Sequence, residues 1–190
     1  MNEKFKTRIA VFVHYQNFIN NYRRHFEIEK LELFFWETFN RDLMSILEDK
    51  GFIDPNIEVI KNIGTWMIFS RDKVPSEHQK NFIRFVDKID LISGKIVTTA
   101  NTAEGELICQ MMMGAFNKRF DLVVLVSQDT IFVPVIHRLQ DYFGINVIQM
   151  GFPEPEKFEN LGEDLRSRSY GHIKLEEYDK NLKFLEQNKV

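Results

Sequence analysis

Cysteine is almost absent from this sequence: Cys109 is the only one in 190 residues. A single thiol excludes an intrachain disulfide and any zinc cluster built on cysteines. Long hydrophobic runs are missing as well. No apolar stretch approaches the roughly 20 residues that span a bilayer, so no membrane partner is expected. The charged segment Met1–Arg8 lacks the apolar core of a signal peptide. Together these features predict a protein of the reducing cytoplasm. Basic charge is not in excess either. Lys and Arg number 25 against 28 Asp and Glu, a formal net charge of −3. That balance is a poor global signature for nucleic-acid binding, since phosphate contacts need a basic surface. Only local basic groups remain: Lys118 with Arg119, Arg166 with Arg168, and Lys80, Arg84 and Lys88 along one helix side. The chain also lacks a Gly-rich phosphate loop, zinc-ligand spacing, internal repeats and low-complexity segments.

What is present describes one soluble α/β domain. Hydrophobic residues make up 44% of the chain, 18 of them Phe, enough to build a core without staples. Arg8–Val13 reads as a short apolar strand that ends near His14, where the sequence turns polar. Leu31–Asp49 carries Leu33, Trp36, Phe39, Leu43 and Leu47 at helical spacing, with Gly51 as the stop. Ile57–Phe69 is β-branched and aromatic, and Gly64 inside it predicts a bend or bulge. Ser76 caps a predicted helix whose stripe is Phe82, Phe85, Val86 and Ile89. Lys95–Thr99 is a short strand and Thr102–Phe116 a helix. Leu122–Val126 is uninterrupted and apolar, as suits a central parallel strand buried on both faces. Thr130–Phe143 is a helix ended by Gly144, and Ile145–Met150 a further strand. Phe152–Ser169 is polar and loop-rich, and Leu175–Gln187 closes the chain as a charged helix. Alternating strands and helices predict a mainly parallel sheet with helices on both faces. The whole of 1–190 is expected to form one domain, with 152–190 a loop-and-helix extension.

In such sheets, sites form beyond the carboxyl ends of the strands. Three polar clusters fall there: Val11-Phe12-Val13-His14-Tyr15-Gln16-Asn17, Leu125-Val126-Ser127-Gln128-Asp129, and Asn101-Thr102-Ala103-Glu104-Gly105-Glu106. These segments resemble, in order, the motifs of the NYN family, a PIN-like nuclease group with a three-layer α/β fold. The first resembles a hydrophobic strand ending in Asp, then a small residue, any residue and Asn. The helix from Glu104 resembles Val-Asp-Val-Ala-Leu-Ala-Val-Asp. The segment Ser127-Gln128-Asp129-Thr130-Ile131-Phe132-Val133-Pro134 resembles Ser-Gly-Asp-x-Asp-Phe-x-Pro. The tail Leu165–Leu175 resembles the family's C-terminal element.

The resemblance implies a carboxylate site for Mg²⁺ or Mn²⁺ and cleavage of RNA, expected to be single-stranded. Hard cations prefer oxygen ligands, and a bound cation activates water and neutralises phosphate charge. The departures are specific. His14 stands where the strand-end Asp belongs, Tyr15 for the small residue, Gln110 for the second helix Asp and Ile131 for the second loop Asp. Glu104 and Asp129 remain as the metal ligands and, with His14, as the catalytic set. Asn17, Ser127, Gln110 and Lys118 are the expected substrate-binding residues. Glu106 is a reserve ligand, since a one-turn shift of the alignment exchanges it with Glu104. An imidazole ligates transition metals well and Mg²⁺ poorly, so His14 moves a surviving site toward Mn²⁺ or Zn²⁺, or meets phosphate directly.

Plainer roles compete for the same residues. Asp129 can cap the following helix, and Glu104 can close a capping box with Asn101. His14 can be a hydrogen-bonded buried histidine, and Asn17 can serve a local turn. Met111, Met112 and Met113, with Cys109, read as packing. The eroded acidic set makes a catalytically inactive RNA- or protein-binding module the alternative to an enzyme. The segment Leu33-Phe34-Phe35-Trp36 exceeds what one helix face buries, which predicts a homodimer.

Overall fold

The computed structural model describes residues 5–25, 42–56, 58–70, 96–99, 103–152 and 163–175. The predicted helix after Ser76, the segment Leu33–Trp36, the group Lys80, Arg84 and Lys88, and Asn101 lie outside these residues. So does the predicted terminal helix beyond Leu175.

Six strands are described: β1 (Phe5–His14), β2 (Glu58–Ser70), β3 (Ile96–Thr99), β4 (Leu122–Val126), β5 (Asn146–Gly151) and β6 (Gly171–Lys174). They form one sheet in the order β3-β2-β1-β4-β5-β6, and every pairing is parallel. The helices are α1 (Tyr15–His25), α2 (residues 42–49), α3 (Ala103–Phe116), α4 (Val133–Phe143) and α5 (Glu163–Arg168). A 3₁₀ turn, Thr130–Phe132, precedes α4.

Strand periodicity sorts the core into two layers. Ile9, Val11 and Val13 of β1 pack with Tyr15 and Phe18 of α1 and Leu43 and Leu47 of α2. Ala10 and Phe12 face the opposite way, onto Leu107 and Met111 of α3, Ile136 and Leu139 of α4, and Leu165 of α5. Helices therefore cover both faces. All five residues of β4 are buried, as a central parallel strand requires. Each such aliphatic side chain contributes roughly 1.5–3 kcal/mol by leaving water.

The bulge expected in β2 is present. Ile9 pairs Asn62 and Ala10 pairs Gly64, so Ile63 is the extra residue. Gly64 adopts φ 138°, a conformation that glycine tolerates best. At the end of α4, Gly144 takes φ 65° and its N–H binds the Gln140 carbonyl, an αL closure, while Ile145 N–H reaches back to the Leu139 carbonyl. A Schellman closure ends α3: Arg119 N–H binds the Gly114 carbonyl and Lys118 N–H the Ala115 carbonyl. Here Lys118 holds the left-handed position, at φ 51°.

Three elements depart from the sequence expectation. α1 occupies a segment that reads as polar. β6 and the short α5 fall in a tail that reads as loop and charged helix. Cys109 is exposed on α3 rather than packed, and Met113 is likewise exposed while Met111 is buried. Among the described residues, no helix is long and apolar enough to cross a membrane.

Candidate metal centre

The strand order reverses between β1 and β4. In open parallel sheets the crevice at such a switch point, beyond the carboxyl ends, is where ligands bind. His14 is the last residue of β1, and Ser127 follows the last residue of β4. Alternation along β1 turns His14 toward α3, where Glu104 lies in the first turn. The turn after β4 brings Asp129 to the same place. One ligand atom from each of His14, Glu104 and Asp129 lies within 4.8 Å of the others.

His14 is 3% exposed. Its Nε2 lies 3.0 Å from Glu104 Oε1, yet that nitrogen has no aligned hydrogen-bond partner. The two groups meet in distance but not along the ring's N–H direction. Nδ1 lies 3.5 Å from Ser127 Oγ, and the Phe132 ring stands edge-on at 5.7 Å. Burial pushes the imidazole below its usual pKa. The nearby Glu104 and Asp129 carboxylates oppose that shift without reversing it. Burial thus favours the neutral imidazole, the form that ligates metals.

Asp129 is held on several sides. Its N–H donates to Ser127 Oγ at 3.1 Å, and its Oδ1 accepts from Ile131 N–H at 3.1 Å. It is thus the N-cap of the 3₁₀ turn. Capping uses one lone pair of one oxygen and leaves carboxylate capacity toward the crevice. Pro134, at the start of α4, is pre-set for a first helical turn.

The two glutamates of α3 divide. Glu104 meets His14, whereas Glu106 Oε1 accepts from Gln110 Nε2 at 2.8 Å. Gln110 is thereby tied to Glu106, six residues from Glu104 and about 120° around the helix. Asn17 Oδ1 accepts from Gln128 N–H at 2.9 Å, which fastens α1 to the turn after β4. Ser127 is 2% exposed and orients both Asp129 and His14. Ile131, half exposed at 49%, offers no ligand.

Lys118 does not reach this crevice, contrary to its expected substrate-binding role. It precedes β4, at the amino end of the sheet, and its carbonyl accepts from Arg8 Nη1 at 2.5 Å. Five residues of strand at about 3.3 Å each separate the two ends.

Gln149 is a contributor that the sequence reading missed. It is 1% exposed. Its Nε2 donates to the Ser127 carbonyl at 2.5 Å, and its Oε1 meets His172 Nδ1 of β6. A polar residue inside the apolar run of β5 was the available signal. Gln128 Nε2 adds a bond to the Phe152 carbonyl at 2.5 Å.

The model of the NYN domain matches residues 8–169. The chain belongs to the NYN domain family. NYN domains are part of the PIN-like nuclease superfamily, whose members typically use divalent metals. No curated protein matches this chain. Among solved structures, a protein of unknown function from Vibrio parahaemolyticus RIMD 2210633 shares its fold, with a TM-score of 0.60 and 13% identity. That match covers 92% of this chain and 96% of the other. This NYN domain offers a donor set that fits a divalent cation: two carboxylates and a buried imidazole nitrogen, converging within 4.8 Å.

Proposed function

We propose that this NYN domain is a divalent-metal-dependent nuclease acting on single-stranded RNA in the crevice between the ends of β1 and β4. One observation carries the reading: His14, Glu104 and Asp129 converge at the switch point of the sheet. Asp129 and Glu104 hold the ion, Mg²⁺ or Mn²⁺, and His14 takes the place of a third carboxylate. When bound, such an ion lowers the pKa of water and offsets charge on phosphate.

The chain's own residues do the positioning. Ser127 fixes Asp129 through its N–H and steadies the His14 ring through Nδ1. Asn17 holds the Gln128 backbone and so the shape of the turn. Phe132 walls one side of the imidazole and limits water there. Gln110, tied to Glu106, lies off the ligand triad and contacts substrate only along the helix.

Purified protein with Mn²⁺ is expected to cut single-stranded RNA, and Asp129→Ala to abolish cutting. Cleavage unchanged in that variant removes the assignment.

A second reading has its own support. Among the described residues only two carboxylates join His14 in the crevice, and Gln110 and Ile131 stand where acids would be expected. A site with that little negative charge suits a module that binds RNA or protein without cutting. Calorimetric titration separates the two, because the binding module takes up no metal at millimolar concentration.

A further inference from the structure

The inference below rests on the metal-site reading above and concerns which ion the site selects. We propose that the centre is built for a first-row transition ion, with Zn²⁺ bound more tightly than Mn²⁺ and Mg²⁺ bound least.

The first argument is a buried nitrogen without an aligned hydrogen bond. His14 is almost wholly buried, and Nε2 has no aligned hydrogen bond despite a carboxylate oxygen 3.0 Å away. Buried polar atoms in folded proteins nearly always find partners, and an exception calls for an explanation. A ligated metal ion supplies one. Mg²⁺ does not supply it well, because it demands oxygen ligands and keeps its waters. Imidazole suits Zn²⁺ and its neighbours; affinities rise from Mn²⁺ to Cu²⁺ and fall back at Zn²⁺, which still binds nitrogen donors more tightly than Mn²⁺ does.

The second argument is the support behind the ring. A ligating histidine commonly hands its other N–H to a fixed acceptor, which sets the tautomer. Ser127 Oγ lies 3.5 Å from Nδ1 and is itself held by Asp129 N–H. With the proton on Nδ1, the Nε2 lone pair points into the space shared with Glu104 and Asp129. The same serine therefore arranges two of the three ligands. Three protein ligands is also the number that a catalytic zinc site uses.

The test is metal binding, read by calorimetry on the apo protein without RNA. Exposed Cys109 and the His137–Asp141 pair on α4 are adventitious zinc ligands, so the background carries Cys109→Ser and His137→Gln. Expected is one Zn²⁺ per chain, held about 100-fold or more tightly than Mg²⁺, with Mn²⁺ between. His14→Asp restores an all-oxygen set, and the Zn²⁺ to Mg²⁺ ratio should shrink at least tenfold. Should that variant fail to fold, Co²⁺ bound to the unaltered site reports instead. Its visible absorption should be the intense band of a low-coordinate site containing nitrogen. Equal affinity for Mg²⁺ and Zn²⁺ overturns the selectivity and leaves a metal-dependent nuclease intact. Binding of no ion overturns both.

Discussion

The two ends of the sheet treat polar residues in opposite ways. At the amino end, Arg8 and Asp121 satisfy each other. Arg8 Nε and Nη2 donate to Asp121 at 2.8 and 2.7 Å, Arg8 N–H donates to Oδ2 at 2.9 Å, and Asp121 N–H returns to the Arg8 carbonyl at 2.9 Å. The pair joins β1 to β4 beside a cleft of about 470 Å³, near exposed Phe116 and Tyr142. At the carboxyl end the polar residues are buried or half-buried, and one nitrogen is left without an aligned partner. A closed set of hydrogen bonds staples strands together. An open set in a buried place is ready for a ligand. Substitutions at the carboxyl end should therefore cost chemistry more than stability, and those at the amino end the reverse.

The largest effect should come from Asp129→Asn. Asparagine caps a helical turn nearly as well as aspartate, so the fold survives with little change in melting temperature. The charge is lost, and metal-supported RNA cleavage should fall about 100-fold or more, roughly 2.7 kcal/mol of barrier. A large drop in melting temperature would show that Asp129 belongs to the staple class instead. Gly114→Ala is the counterpart at the other end. A Cβ there would overlap the buried Phe120 ring, which also packs edge-on against Phe12. Overpacking of this kind costs about 1–3 kcal/mol, measurable by urea denaturation, while metal affinity of the folded protein stays unchanged.

The same contrast explains what the sequence made legible. Strand and helix alternation is written in apolar periodicity, so β4, α3, α4 and the bulge at Gly64 could all be read directly. Ser127 and Asp129 could be read because a polar group closes an apolar strand. α1 was hidden: Asn17, Asn20 and Asn21 lower helix propensity, although Tyr15, Phe18 and Tyr22 keep helical spacing. Those amides are used within the helix, Gln16 bonded to Asn20 and Asn21 to Asn17 one turn apart. β6 was hidden because four residues at a sheet edge carry little pattern, and its register is set by β5. Lys118 shows the limit most clearly. Charge type suggested phosphate, but its backbone conformation and position decide its role, and neither is encoded in its being a lysine. Whether Glu104 or Glu106 faces His14 also required the structure, since the two lie two residues and about 200° apart on the helix, and a small shift of the alignment exchanges them.

A smaller effect should separate Ser127 from the ligands that it orients. Ser127→Ala removes the acceptor for Asp129 N–H and the neighbour of His14 Nδ1. Loss of such a support typically weakens a metal about tenfold or more, so Zn²⁺ affinity should fall by about that factor with stoichiometry unchanged. Affinity equal to that of the parent would place Ser127 in the turn alone.

The smallest effect belongs to Asp121→Asn, and its pH dependence tests the staple directly. Hydrogen bonds from Arg8 hold the Asp121 carboxyl below its ordinary pKa. The unfolded chain then takes up the proton first as pH falls. The stabilisation is present in full above the unfolded carboxylate value, about 3.9, and is lost as pH falls through the lower folded value. Both side chains are partly exposed, 33% and 40%, so screening limits the pair to about 0.2–1 kcal/mol. Urea denaturation should show the variant weaker by that amount at pH 7, and the two proteins should converge as pH falls below the ordinary carboxylate range. A gap that persists undiminished in acid would mean that neutral hydrogen bonds, not the ion pair, join β1 to β4. Zn²⁺ affinity at pH 7 should not move. If it does, the two ends are coupled through the strands between them, and the division of labour drawn here fails.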